Sequence, residues 1–83
     1  MTTQEYKDQA NHFANLIMDA IKQKNPTIEL DAYVKSGDLR YLYVYEGRSH
    51  DAIITFQGST YYDLFRAVQS AWHTYLAINR NYD

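Results

Sequence analysis

The chain has 83 residues, with eight basic and ten acidic side chains for a formal net charge of −2, one proline and no cysteine. A chain this short buries only about 60% of the surface its unfolded form exposes, so residues 1–83 suffice for one domain with a two-layer core. The missing cysteines exclude disulfides, thiolate metal sites and thiol nucleophiles, and the near balance of charge favours neither a nucleic-acid binder nor an acidic mimic. Against this background the tyrosine content stands out: nine, beside three Phe and one Trp.

In chain order, the first predicted element is an amphipathic helix over Thr3–Lys24. Tyr6, Ala10, Phe13, Ile17, Ala20 and Ile21 recur at spacings of three and four, which sets them on one stripe. Thr2 with Glu5 three residues on fits a capping box, and Lys22 and Lys24 complement the helix dipole in the last turn. Asn25-Pro26 stops the helix, because the residue before proline disfavours helical backbone. From Thr27 the period becomes two: Ile28, Leu30, Ala32 and Val34 alternate with Glu29, Asp31, Tyr33 and Lys35 in a half-buried strand. Ser36-Gly37-Asp38 is turn chemistry that forces an antiparallel hairpin into a second strand, Leu39–Tyr45. A second turn over residues 46–50 leads to a third strand, Asp51–Phe56. Gln57-Gly58 then gives way to a last helix capped by Ser59 or Thr60, with Asp63 in its first turn. Its stripe is Tyr61, Leu64, Phe65, Val68, Trp72 and Tyr75, extended by Ile78 or Asn79, and the tail Arg80–Asp83 is expected to fray.

The expected fold is therefore α+β: a three-stranded antiparallel meander with both helices packed on one face, in the order α-β-β-β-α. Toward the helices should point Ile28, Leu30, Ala32, Val34, Leu42, Val44, Ile54 and Phe56. Strand parity then sends Tyr33, Tyr41, Tyr43, Tyr45 and Ile53 to the opposite face, beside Glu29, Asp31 and Lys35. Of the remaining tyrosines, Tyr6, Tyr61 and Tyr75 are assigned to the core and Tyr62 and Tyr82 to the periphery.

Little in the chain suggests catalysis. His12, His50 and His73 are the side chains that titrate near neutrality without a shift, and they fall in three different elements with no nucleophile beside them. No paired-histidine helix or carboxylate-rich loop suggests a metal, and no cofactor is expected. Glu29 and Asp31 share a strand face, which alternation alone accounts for. Gly37, Gly47 and Gly58 are isolated and form no phosphate-binding loop, and no serine sits in a nucleophile elbow. The expectation is that the protein is not an enzyme.

The four strand tyrosines are the candidate site. Tyrosine is a good strand residue, and cross-strand aromatic pairs contribute roughly 0.2–1 kcal/mol each. It is also enriched where proteins meet, because it brings a large contact area, few rotamers and a polar tip. An aromatic sheet can also stack bases, but such platforms need surrounding cations. The strands and turns carry Lys35, Arg40 and Arg48 against Glu29, Asp31, Asp38, Glu46 and Asp51, which disfavours nucleic acid. The residues expected to contact a protein partner are Tyr33, Tyr41, Tyr43 and Tyr45 as anchors, with Asp31, Asp38, Glu46 and Asp51 giving orientation. The competing use of the same face is a homodimer interface, two sheets packed at about 10 Å.

The element order and the strings Ala14–Asn25, Tyr41-Leu42-Tyr43-Val44, Ala52-Ile53-Ile54 and Leu64–Trp72 resemble small phage anti-CRISPR proteins, in particular a type II-A inhibitor of Cas9 with an α-β-β-β-α core. The resemblance covers most of the chain through hydrophobic pattern and length. It implies a small inhibitor that occludes a host protein, a CRISPR-Cas effector in that family. The family's dense acidic surface, which imitates a phosphate line, does not carry over to a chain whose acids are diluted by nearly as many bases. Residues 1–8 are polar with no basic region leading into an apolar run, and no apolar run nears the roughly 18 residues of a membrane span. The expected location is the cytoplasm, that of the host cell if the chain is phage-encoded, with no membrane partner.

Overall fold

A computed structural model describes residues 2–49 and 51–82, the side chains of residues 79–82 excepted. The elements are α1 (Thr3–Lys24), β1 (Leu30–Ser36), β2 (Arg40–Glu46), β3 (Ala52–Gly58) and α2 (Tyr61–Tyr82). The strands form one antiparallel sheet in the order β1-β2-β3. The chain is thus an α+β fold in the expected α-β-β-β-α order.

Local chemistry sets the helix starts. The Thr2 hydroxyl accepts from the Glu5 backbone N–H while the Glu5 carboxylate accepts from Thr2 N–H, a complete capping box at α1. At α2 the cap is Thr60, whose Oγ1 accepts from Asp63 N–H at 3.1 Å. After α1, Pro26 turns the chain, and Ile28 N–H donates back to Asn25 O at 3.1 Å. That turn moves the start of the first strand to Leu30, so Ile28, expected in the ladder, lies before it. The other strand limits differ from expectation by one or two residues: β2 is Arg40–Glu46, and β3 is Ala52–Gly58 because Gly58 still pairs with Arg40. The helix α2 continues through Tyr82, where a frayed tail from Arg80 was expected.

Both helices cover one face of the sheet. α1 lies over β1 and β2, α2 over β3 and β2, and the helices pack closely on each other. The central strand therefore holds the deepest sheet side chains. Leu42 and Val44 are fully buried, as are Leu64 and Val68 of α2, each contributing about 1.5–3 kcal/mol by leaving water. Ala10, Ala14, Ile17, Met18 and Phe65 complete the core, and half-buried Leu30, Ala32, Val34, Ile54 and Phe56 pack around it as parity requires. Ile78 does not extend the stripe: it is 52% exposed.

Ring contacts fix the direction of the helix pair. Tyr6 meets Tyr62 and Phe65, Phe13 meets Phe65 and His73, and the Lys24 ammonium lies over the Tyr75 ring. Advancing along α1 advances along α2, so the helices run parallel, as an odd number of strands between them requires. The whole is a slab of 36 × 31 × 17 Å, the thickness of one sheet and one helix layer.

Candidate functional site

The face turned away from the helices carries the tyrosines, and strand register orders them. Tyr33 pairs with Tyr43, and Tyr43 with Thr55, forming a middle rung. On one side of it Lys35, Tyr41 and Gln57 form a rung; on the other, Asp31 and Tyr45 pair, with Ala52 beyond. Between Val44↔Ile54 and Tyr45↔Ala52 the register slips, which makes Ile53 the extra residue of a bulge, 50% exposed.

The rings touch in series. Tyr41 stacks on Tyr43 with centroids 5.7 Å apart, Tyr43 lies 5.1 Å from Tyr33, and Tyr33 meets Tyr45 edge-on at 5.6 Å. These separations are those of favourable aromatic pairs, worth about 0.5–1.5 kcal/mol beyond area burial. Tyr33, on the edge strand, is 50% exposed, and the other three are half-buried by their neighbours. The result is a continuous four-ring ladder with no layer above it among the described residues.

Polar groups tie down one end. The Tyr45 hydroxyl donates to Asp31 Oδ2 at 3.3 Å, while Asp31 Oδ1 accepts from Ala32 N–H at 2.8 Å. Desolvation first, then the charge of Asp31 and its hydrogen bond, pushes the Tyr45 phenol above its ordinary pKa.

The expected acidic partners separate in space. Asp31 belongs to the tyrosine face. Asp38 is exposed in the turn between β1 and β2, at the opposite end of the sheet from Glu46, the last residue of β2, and Asp51, just before β3. Glu46 folds back on its own turn: its carboxylate accepts from the N–H groups of Arg48 and Ser49, both at 3.1 Å. The Arg48 N–H is the larger cause of a lowered Glu46 pKa, partly opposed by desolvation and reinforced by Ser49. Asp51 is exposed, and its backbone O accepts from Glu46 N–H at 3.2 Å. The four carboxylates therefore do not form one ring around the tyrosines.

The cations divide similarly. Arg40 sits on the helix side, donating to Gly37 O at 2.9 Å and lying 5.3 Å from the Tyr61 ring centre. The Tyr61 hydroxyl and the Ser36 hydroxyl share a hydrogen bond that pins the first turn of α2 to β1. Arg48 is 3.8 Å from Glu29, an exposed pair of little energetic weight. Lys35 is the cation whose strand position lies on the tyrosine face among the described residues.

Elsewhere, His12 and His73 are exposed on their helices, each edge-on to Phe13, and His50 lies outside the described residues. Among the described residues no cluster of three His, Asp or Glu side chains is placed to hold a metal, and no helix is long and apolar enough to cross a membrane. A shallow groove between the C-terminal halves of the helices, floored by Leu16, Ala20, Trp72 and Tyr75, did not emerge from the helical periodicity. Tyr75, expected in the core, stacks on Trp72 at 5.8 Å along this groove instead. Comparison of the chain with protein-family models, curated proteins and solved structures finds no match.

Proposed function

We propose that this chain is a non-enzymatic protein-binding inhibitor that docks through the outer face of its sheet. The observation that carries the proposal is the uncovered ladder Tyr41–Tyr43–Tyr33–Tyr45. Small monomers seldom leave a broad aromatic surface without a use, and tyrosines held by their neighbours lose little entropy on contact. In this role the four rings supply contact area, and Asp31 and Lys35 at the two ends of the ladder set orientation. The resemblance to type II-A anti-CRISPR proteins directs the proposal to a host CRISPR-Cas effector as the protein inhibited.

The test compares the wild type with the double variant Tyr41→Ser/Tyr43→Ser. Affinity capture from a bacterial lysate, read by mass spectrometry, should recover a partner with the wild type and lose it with the variant, while circular dichroism stays the same. Equal recovery by both proteins would remove the tyrosine face from the proposal. Added in excess to a type II-A Cas9 cleavage reaction, the wild type should slow cleavage, and an unchanged rate would discard that effector as the target.

A further inference from the structure

The tyrosine face is self-complementary, and we infer that its resident occupant is a second copy of this chain, related by a two-fold axis that crosses the strands at the Tyr33–Tyr43 rung. The inference rests on the reading of this face as a protein interface and names what fills it when no other partner is present.

The argument is one of pattern. Asp31, Tyr33 and Lys35 occupy successive outward positions of β1, and their register partners on β2 are Tyr45, Tyr43 and Tyr41. Four residues of strand separate the carboxylate from the ammonium, about 13 Å, with Tyr33 midway. A two-fold axis lying in the face, perpendicular to the strands and passing over Tyr33 and Tyr43, exchanges the outer rungs. Asp31 of one copy then faces Lys35 of the other, and the reverse pairing is generated by symmetry. Tyr45 meets Tyr41 of the second copy, and the middle tyrosines meet themselves. Both charges find their opposite, and every ring falls against a ring. Such an isologous contact closes on itself and leaves no free face to extend a fibre. An axis along the strands lacks this property, because it keeps each charge at its own end of the pair.

Size sets the class of interface. Three strands of seven residues give a flat footprint of roughly 300 Å² per copy, below the ~800 Å² per partner of a standard stable interface. The dimer therefore belongs to the weak, transient class of interfaces. Because one face cannot hold two occupants, the dimer is a reservoir from which a tighter-binding target draws monomer by mass action.

The test is sedimentation velocity of the purified chain from about 5 to about 500 µM. The wild type should pass from monomer to dimer across this range, and a monomer throughout would overturn the inference. Asp31→Lys alone and Lys35→Asp alone each place like charges opposite one another twice, and each should weaken the dimer about tenfold or more. The two single variants mixed should form a heterodimer, and the double exchange Asp31→Lys/Lys35→Asp should recover wild-type association. Both positions are exposed on an edge strand, and circular dichroism checks the fold. A dimer indifferent to the single changes, or a mixture that fails to associate, would overturn the two-fold arrangement. The protein-interface reading fails separately, when Tyr41→Ser/Tyr43→Ser changes neither partner capture nor self-association.

Discussion

Gly58 is the position where a single methyl group should have the largest effect for its size. It ends β3 and lies directly under the first turn of α2. A Cβ built there would be 2.5 Å from Leu64 N and 2.8 Å from both Asp63 C and Asp63 Cβ. Ordinary contact begins at 3.4 Å, so the helix start must retreat by about 0.9 Å. Two of the three obstructing atoms are backbone and cannot rotate aside, and the retreat draws fully buried Leu64 off the core. Overpacking of this kind costs about 1–3 kcal/mol. The stiffer unfolded chain of an alanine offsets about 0.4–1 kcal/mol. The net expectation for Gly58→Ala is a loss of about 1–2 kcal/mol, a Tm lower by about 5–15 °C for a domain of this size. Gly37→Ala is the matched control: nothing lies within 4 Å of its Cβ and its φ is outside the left-handed region. That variant should be unchanged or up to about 1 kcal/mol more stable. Urea and thermal unfolding followed by circular dichroism measure both. Equal stabilities for the two variants, or a Gly58→Ala protein as stable as the wild type, would refute the close-approach argument.

Two further outcomes follow from the helix cap and the turn carboxylate. Thr60→Ala removes the acceptor for Asp63 N–H and should cost about 1 kcal/mol, while Thr60→Ser keeps the oxygen and most of the stability; indistinguishable unfolding midpoints for these variants would show that the cap contributes nothing. Glu46 has a folded-state pKa below its ordinary 4.5, so the unfolded chain binds the proton more readily. Its contribution is fully present above the unfolded value and is lost as pH falls through the folded one. A carboxyl carbon NMR titration should place its midpoint below 4.5, with the Arg48 and Ser49 amide proton shifts moving over the same interval as their bonds to the carboxylate are lost. A midpoint at or above 4.5 contradicts the turn geometry.

Features governed by neighbours in the chain were readable before any coordinates. The helical period, the Thr2/Glu5 box and Pro26 delimit α1, and period-two alternation divides the strand residues between the two faces. Tyr33, Tyr41, Tyr43 and Tyr45 met on one face because the turns between strands are short enough to allow little else. Features that depend on distant parts of the chain were not readable. The slip at Ile53 is a property of the β2–β3 pairing, so no alternation within β3 signals it. Gly58 resembles a turn glycine until α2 is laid across it. Asp38, Glu46 and Asp51 look equivalent as loop acids, yet two hairpin turns of a three-stranded meander point to opposite ends. Nor does the sequence around Glu46 reveal that its side chain curls onto the next amides, of Arg48 and Ser49.

The helical layer is assembled from segments on either side of the sheet in the chain, and this bears on the order of events at the ribosome. When β3 has emerged, α1 can shelter β1 and part of β2, but the half of the inner face formed by Ile54 and Phe56 waits for α2. A nascent meander at that stage is apolar on one side and aromatic on the other, with both edge strands open to pairing. The charges along β1 guard one edge. The other, β3, offers Ile53, Thr55 and Gln57 outward and has no charged side chain from Ala52 to Gly58. Until α2 is made, β3 is therefore where an incomplete chain would recruit a neighbour.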